Sequence, residues 1–114
     1  MDVRTLGERL VKVTLTGRLD TLGVNQVEPR FLDSIVPGGN NVIVDVSQID
    51  FVASMGIRML VSAARALRLR QAALAVYGAQ ERVEQIFEVV SLRQIMSICS
   101  TEAEALAAVG SALD

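Results

Sequence analysis

The chain has 114 residues, 51% of them apolar and 21% charged, with a formal net charge of -2 and no histidine. That length suits one domain, residues 1–114, with a modest core, and the composition excludes a disordered polymer. The mild acidity argues against general affinity for nucleic acid or an anionic membrane, which needs a basic surface, but leaves room for a local basic patch.

Residues 1–10 alternate charged and apolar side chains, unlike a signal peptide. No apolar run approaches the roughly 20 residues a membrane-spanning helix needs. Residues 1–5 read as a weak edge strand. Val11, Val13 and Leu15 alternate with Lys12, Thr14 and Thr16, the period of a half-buried strand. From Thr21 to Val36 the apolar spacing is helical, with Asp20 or Thr21 as cap. Pro29 within it either kinks the helix or marks a restart. Pro37-Gly38-Gly39-Asn40-Asn41 is a turn. Val42–Val46 is almost wholly apolar, as in a strand buried on both faces. A helix over Ser54–Leu69 follows, then a strand over Leu74–Tyr77, a helix over Ala79–Val90 and a short strand over Ile95–Cys99. The lone cysteine, Cys99, has no internal disulfide partner. It reads as a buried, inert thiol in a reducing compartment, so the expected location is cytoplasmic. Thr101-Glu102-Ala103-Glu104 is a capping box opening a final helix. Alternation of this kind predicts an α/β fold: a small mixed, largely parallel sheet of four to five strands, with about four helices mainly on one side.

The chemistry concentrates at Ser54. A strand, a short loop and a helix N-terminus present one hydroxyl there. A nucleophile needs a base beside it, and the chain has neither a histidine nor a metal-ligand cluster nor a phosphate-cradling glycine loop. An enzyme is therefore not expected, and no catalytic residue, metal or cofactor is assigned. Ser54 reads in two ways. It is an N-cap whose oxygen accepts backbone N–H groups, or it is a modification site. A phosphate there would meet the positive helix terminus while adding about -1.5 to -2 charges to the surface.

At 100° per residue, Ile57, Leu60, Val61, Ala64 and Leu67 share one face of this helix, the expected sheet-facing side. Met55, Met59, Ala63 and Ala66 lie roughly opposite, with Ser62 among them and Arg58 and Arg65 on a flank. The methionine strip is either a partner-binding surface or part of the core in a rotated register.

The pattern resembles the STAS family of bacterial anti-sigma-factor antagonists over nearly the whole chain. The resemblance rests on Gly17-x-Leu19-Asp20, on Val42-Ile43-Val44-Asp45-Val46-Ser47, on Ile49-Asp50-Phe51 leading to Ser54-x-Gly56-Ile57, and on Leu74-Ala75-Val76-Tyr77-Gly78. Family members usually carry Asp-Ser-Ser/Thr-Gly-Leu at the loop, and here Ala53 stands for the Asp and Met55 for the Ser or Thr. The resemblance implies phosphorylation at Ser54 and puts Asp20 close to it on a partner surface, which the reading of the helix extends to Met55, Gly56, Arg58, Met59 and Ser62. It implies partner switching. The unmodified domain binds an anti-sigma factor that is also a serine kinase and so frees a sigma factor; phosphorylation breaks the complex and a phosphatase resets it. The alternative is a non-phosphorylated STAS scaffold or accessory subunit of a signalling or lipid-transport complex. Neither role involves direct nucleic-acid binding or membrane insertion.

Overall fold

The computed structural model describes residues 1–111. Residues 112–114, included in the expected domain, lie outside the described residues. In chain order the elements are β1 (Asp2–Gly7), β2 (Leu10–Leu19), α1 (Thr21–Ile35), β3 (Asn41–Val52), α2 (Ser54–Leu69), β4 (Leu74–Tyr77), α3 (Glu81–Val89), β5 (Ser97–Cys99) and α4 (Glu102–Ser111). The five strands form one sheet in sequence order. β1 runs antiparallel to β2, and β2 to β5 are mutually parallel. This is the mixed α/β sheet the alternation predicts. Among the described residues, no helix is long and apolar enough to cross a membrane.

Strand parity decides which helix covers which face. Val11, Val13 and Leu15 of β2, Val42, Val44 and Val46 of β3, and Leu74 and Val76 of β4 point to one side. There they pack with Val24, Phe31 and Ile35 of α1, Met59, Leu60 and Leu67 of α2, and Val83 and Phe87 of α3. The alternate residues Ile43, Ala75 and Tyr77 face the other way, onto Ala105 and Val109 of α4. Three helices therefore share one face and α4 alone covers part of the other. Both β3 and β4 are buried on two sides, which is why they read as continuous apolar runs. The α4 side is thin, built from small residues. It is supplemented by a Lys12–Glu102 ion pair at 3.5 Å and by buried Asn41, whose Oδ1 accepts from Ala73 N at 2.9 Å while its Nδ2 donates to the Val109 carbonyl at 3.4 Å.

Several boundaries differ from the sequence expectation. β3 does not stop at Val46 but runs on to Val52. Gln48 and Asp50 are its solvent-side residues, while Ile49 and Val52 stay buried, so polarity alone was misleading as an end signal. α1 is one helix through Pro29. Both Pro29 and Asn25, whose carbonyl loses its i+4 donor, are exposed, so water can satisfy the freed group. α3 is shorter than Ala79–Val90. The segment before Cys99 is a 3-10 turn over Leu92–Gln94, and only Ser97–Cys99 is strand. The capping box is half built: Thr101 Oγ1 accepts from Glu104 N at 3.2 Å and donates to the Glu104 carboxylate at 3.3 Å. Cys99 is half-buried, and burial pushes its thiol up, away from the reactive thiolate.

Candidate functional site

The carboxyl ends of β2 and β3 lie side by side and each feeds a helix, so α1 and α2 begin at the same edge of the sheet. Leu19 pairs with Val52 at the end of this ladder. One residue further, Ala53 N donates to the Leu19 carbonyl at 2.9 Å. That bond pins the loop before α2 to the end of β2.

Ala53, not Ser54, occupies the N-cap of α2. Its backbone is extended and its carbonyl accepts from Gly56 N at 2.9 Å and Ile57 N at 3.2 Å. Alanine has no side-chain oxygen to offer, so α2 begins without a side-chain cap. Ser54 is the first helical residue and is exposed. Among the described residues its hydroxyl makes no hydrogen bond. The capping explanation for this serine is thereby removed. The first N–H groups of any helix lack intrahelical acceptors, so the hydroxyl stands on a positive terminus with nothing to hold it.

Asp20 does cap a helix. Its Oδ1 accepts from Gly23 N at 2.8 Å, and its Oδ2 lies 3.3 Å from Arg18 Nε. The Gly23 N–H, then the Arg18 guanidinium, hold the Asp20 carboxyl below the usual carboxylate range. Gly23 permits this because a Cβ there would collide with the Arg18 carbonyl. Arg18 in turn stacks over Phe51 of β3, 4.4 Å from the ring centroid. Neither this stack nor the hydrogen bond from Gln80 Nε2 to the Ser47 carbonyl, 3.1 Å, was visible in the sequence. Both depend on which strands are neighbours and in what register.

The exposed side of α2 carries Ser54, Arg58, Ser62 and Arg65, with Met55 half-buried on its shoulder. At 100° per residue these five span an arc of about 100°, so they form one stripe running away from the serine.

Three of the residues expected at the surface are buried instead. Met59 and Ala63 are fully buried, and so is Gly56. The buried arc of α2 comprises Gly56, Met59, Leu60, Ala63, Ala64 and Leu67, which is rotated by about 70° from the sheet-facing side the sequence suggested. The physical reason is that α1 packs beside α2 and takes the Met59 flank into the core, leaving Ile57 and Val61 half-buried instead. Met59 is a core residue and Gly56 a packing residue, and neither belongs to the partner surface. Gly56 lets the first turn of α2 sit against the end of β2. A Cβ there would lie 2.8 Å from Leu19 Cβ and 2.9 Å from the Leu19 carbonyl oxygen. These atoms are fixed by the ladder, so Gly56→Ala is expected to cost roughly 1–2 kcal/mol after the better helix propensity of alanine is counted. For a domain of this size that is a fall in Tm of about 4–8 °C, measurable by thermal denaturation.

The model of the STAS domain family matches residues 3–105. The chain belongs to the STAS domain family. This STAS domain is 26% identical over 94 residues to the anti-sigma-B factor antagonist of Listeria monocytogenes, an alignment covering 82% of each chain. Its fold matches that of the anti-sigma factor antagonist SpoIIAA in its unphosphorylated form, with a TM-score of 0.68 at 19% identity over 93% of this chain and 94% of that one. The phosphorylated Bacillus form gives 0.69 at 19%, over 93% and 96%. The STAS domain of a SulP transporter from Vibrio cholerae matches with a TM-score of 0.71 at 21% identity, over 94% and 85%.

Proposed function

We propose that this STAS domain is an anti-sigma-factor antagonist, a protein-binding module of the cytoplasm whose docking is set by the modification state of Ser54. Unmodified, it binds an anti-sigma factor that is also a serine kinase. The kinase phosphorylates Ser54, the complex separates and a phosphatase restores the hydroxyl. The output is regulation of transcription without direct contact to nucleic acid. The docking surface is the stripe Ser54, Met55, Arg58 and Ser62 together with Asp20 at the neighbouring helix start.

The observation that carries this reading is the exposed Ser54 hydroxyl at the first turn of α2, free of any capping duty. Charge added there is stabilised by the helix terminus, so the fold persists while the surface changes sign locally. The relatives named as anti-sigma factor antagonists support the same direction. Incubation with the cognate kinase and ATP is expected to add one phosphate to the wild-type chain and none to Ser54→Ala, as read by intact mass.

A second reading keeps the docking surface and drops the switch. Ala53 supports it, because the usual Asp beside the acceptor is missing. The domain would then be a constitutive scaffold or an accessory subunit of a signalling or lipid-transport complex. An intact mass unchanged by kinase and ATP selects this second reading.

A further inference from the structure

The opposite end of the sheet, at the amino ends of the parallel strands, carries a different chemistry. Two adjoining clefts of about 550 and 610 Å³ share Arg9 and Gln71 in their walls. Arg70 and the Gly38-Gly39 turn complete the first, and Arg68 contributes to the second. Among the described residues no carboxylate lines either cleft. Among the described residues the ion pairs use Arg4, Lys12, Arg18 and Arg93, none of these three arginines. A chain with a net charge of -2 thus gathers three guanidinium groups, unpaired with any carboxylate among the described residues, around two adjoining clefts.

Two of the three are held in place. Arg70 Nη2 donates to the Pro37 carbonyl at 2.7 Å and Arg68 Nη2 to the Ile95 carbonyl at 2.9 Å. A guanidinium has five N–H donors, so each bond to a carbonyl orients the group and leaves a fork free for an anion. Gly39, at φ +61, makes room: a Cβ there would stand 2.9 Å from Arg70 Nε. The negative end of α2 accounts for basic residues at Arg68 and Arg70. It does not account for Arg9, which comes from the β1–β2 turn and whose side chain makes no hydrogen bond among the described residues.

We infer that the Arg9–Arg68–Arg70 clefts form a binding site for an anion carrying several phosphate charges, either a free oligophosphate or a phospholipid headgroup. The site lies about 24 Å from Ser54, the length of the 16-residue α2 at 1.5 Å per residue, and does not depend on the switch.

The test uses the full chain with two probes. Inorganic triphosphate is titrated while amide shifts are followed by NMR. Separately, the chain is sedimented with vesicles of phosphatidylcholine alone and of phosphatidylcholine with phosphatidic acid. Saturable shifts at Arg9, Gly39 and Gln71 that weaken with added salt support the site with a free-phosphate source. Co-sedimentation only with the phosphatidic acid vesicles supports it with a headgroup source. In either case Arg9→Gln, whose side chain secures no loop, is expected to lose about tenfold in affinity with unchanged Tm. The inference is overturned if neither probe binds, if triphosphate shifts map elsewhere, or if Arg9→Gln and Arg68→Gln bind as tightly as wild type.

Discussion

Met59→Glu is expected to unfold this domain or lower its Tm by about 20 °C or more. Met59 is fully buried among α1, α2 and the sheet. The substitution removes a packed thioether, worth roughly 2–5 kcal/mol by comparison with Met→Ala changes. It also leaves a carboxylate in an apolar site, at a further several kcal/mol even after the group takes up a proton. A domain of this size has only about 5–15 kcal/mol of total stability. Arg58→Glu and Ser62→Glu are the matched controls. Both positions are exposed on the same helix, and changes there are expected within about 0.5 kcal/mol while still placing charge on the proposed docking stripe. Thermal denaturation of the three variants separates core from surface. A Met59→Glu chain that melts like wild type would return Met59 to the surface.

Ser54→Asp is expected to weaken binding to the anti-sigma factor by about 30- to 700-fold, with a Tm equal to or slightly above that of wild type. An unmatched charge in a docked interface costs roughly 2–4 kcal/mol, and 1.4 kcal/mol is tenfold in affinity. The stability term has the opposite sign. A carboxylate in the first turn of a helix gains about 0.3–1 kcal/mol from the free N–H groups, and the serine oxygen gives up no cap bond because Ala53 holds the cap position. Titration calorimetry and a melting curve on the same sample check both signs. A fall in stability parallel to the fall in affinity would mean that the variant acts by damaging the fold.

The elements carrying strong local signals were legible in the sequence. The helix over Ser54–Leu69 and the strand over Leu74–Tyr77 have the expected bounds, because the first carries a long run of helical spacing opened by a serine and the second is a short apolar run closed by Gly78. The start of α1 was legible too, though the sequence left its cap open between Asp20 and Thr21, and the structure gives it to Asp20. What was not legible depends on neighbours. The apolar positions of α2 cover more of the helix than the sheet can bury, so the sequence alone could not say which part α1 would claim. Met59 and Ala63 lie where that decision falls. The extension of β3 to Val52 and the Arg18–Phe51 stack depend on register with β2, a property of two distant segments. The placement of α4 on the other face follows from Ile43, Ala75 and Tyr77, whose outward parity is hidden in strands that are apolar on both sides. Ser54 stood out in the sequence as a candidate, but its place as the first helical residue emerged only when the Ala53 carbonyl was seen to close the first turn.

The most direct test compares one chain in two states. The domain phosphorylated at Ser54 alone and the unmodified domain are titrated against the same anti-sigma factor, with circular dichroism recorded for each. The expected result is tight binding by the unmodified form, at least tenfold weaker binding by the phosphorylated form and the same spectrum for both. Equal affinity in the two states would contradict control of docking at this serine.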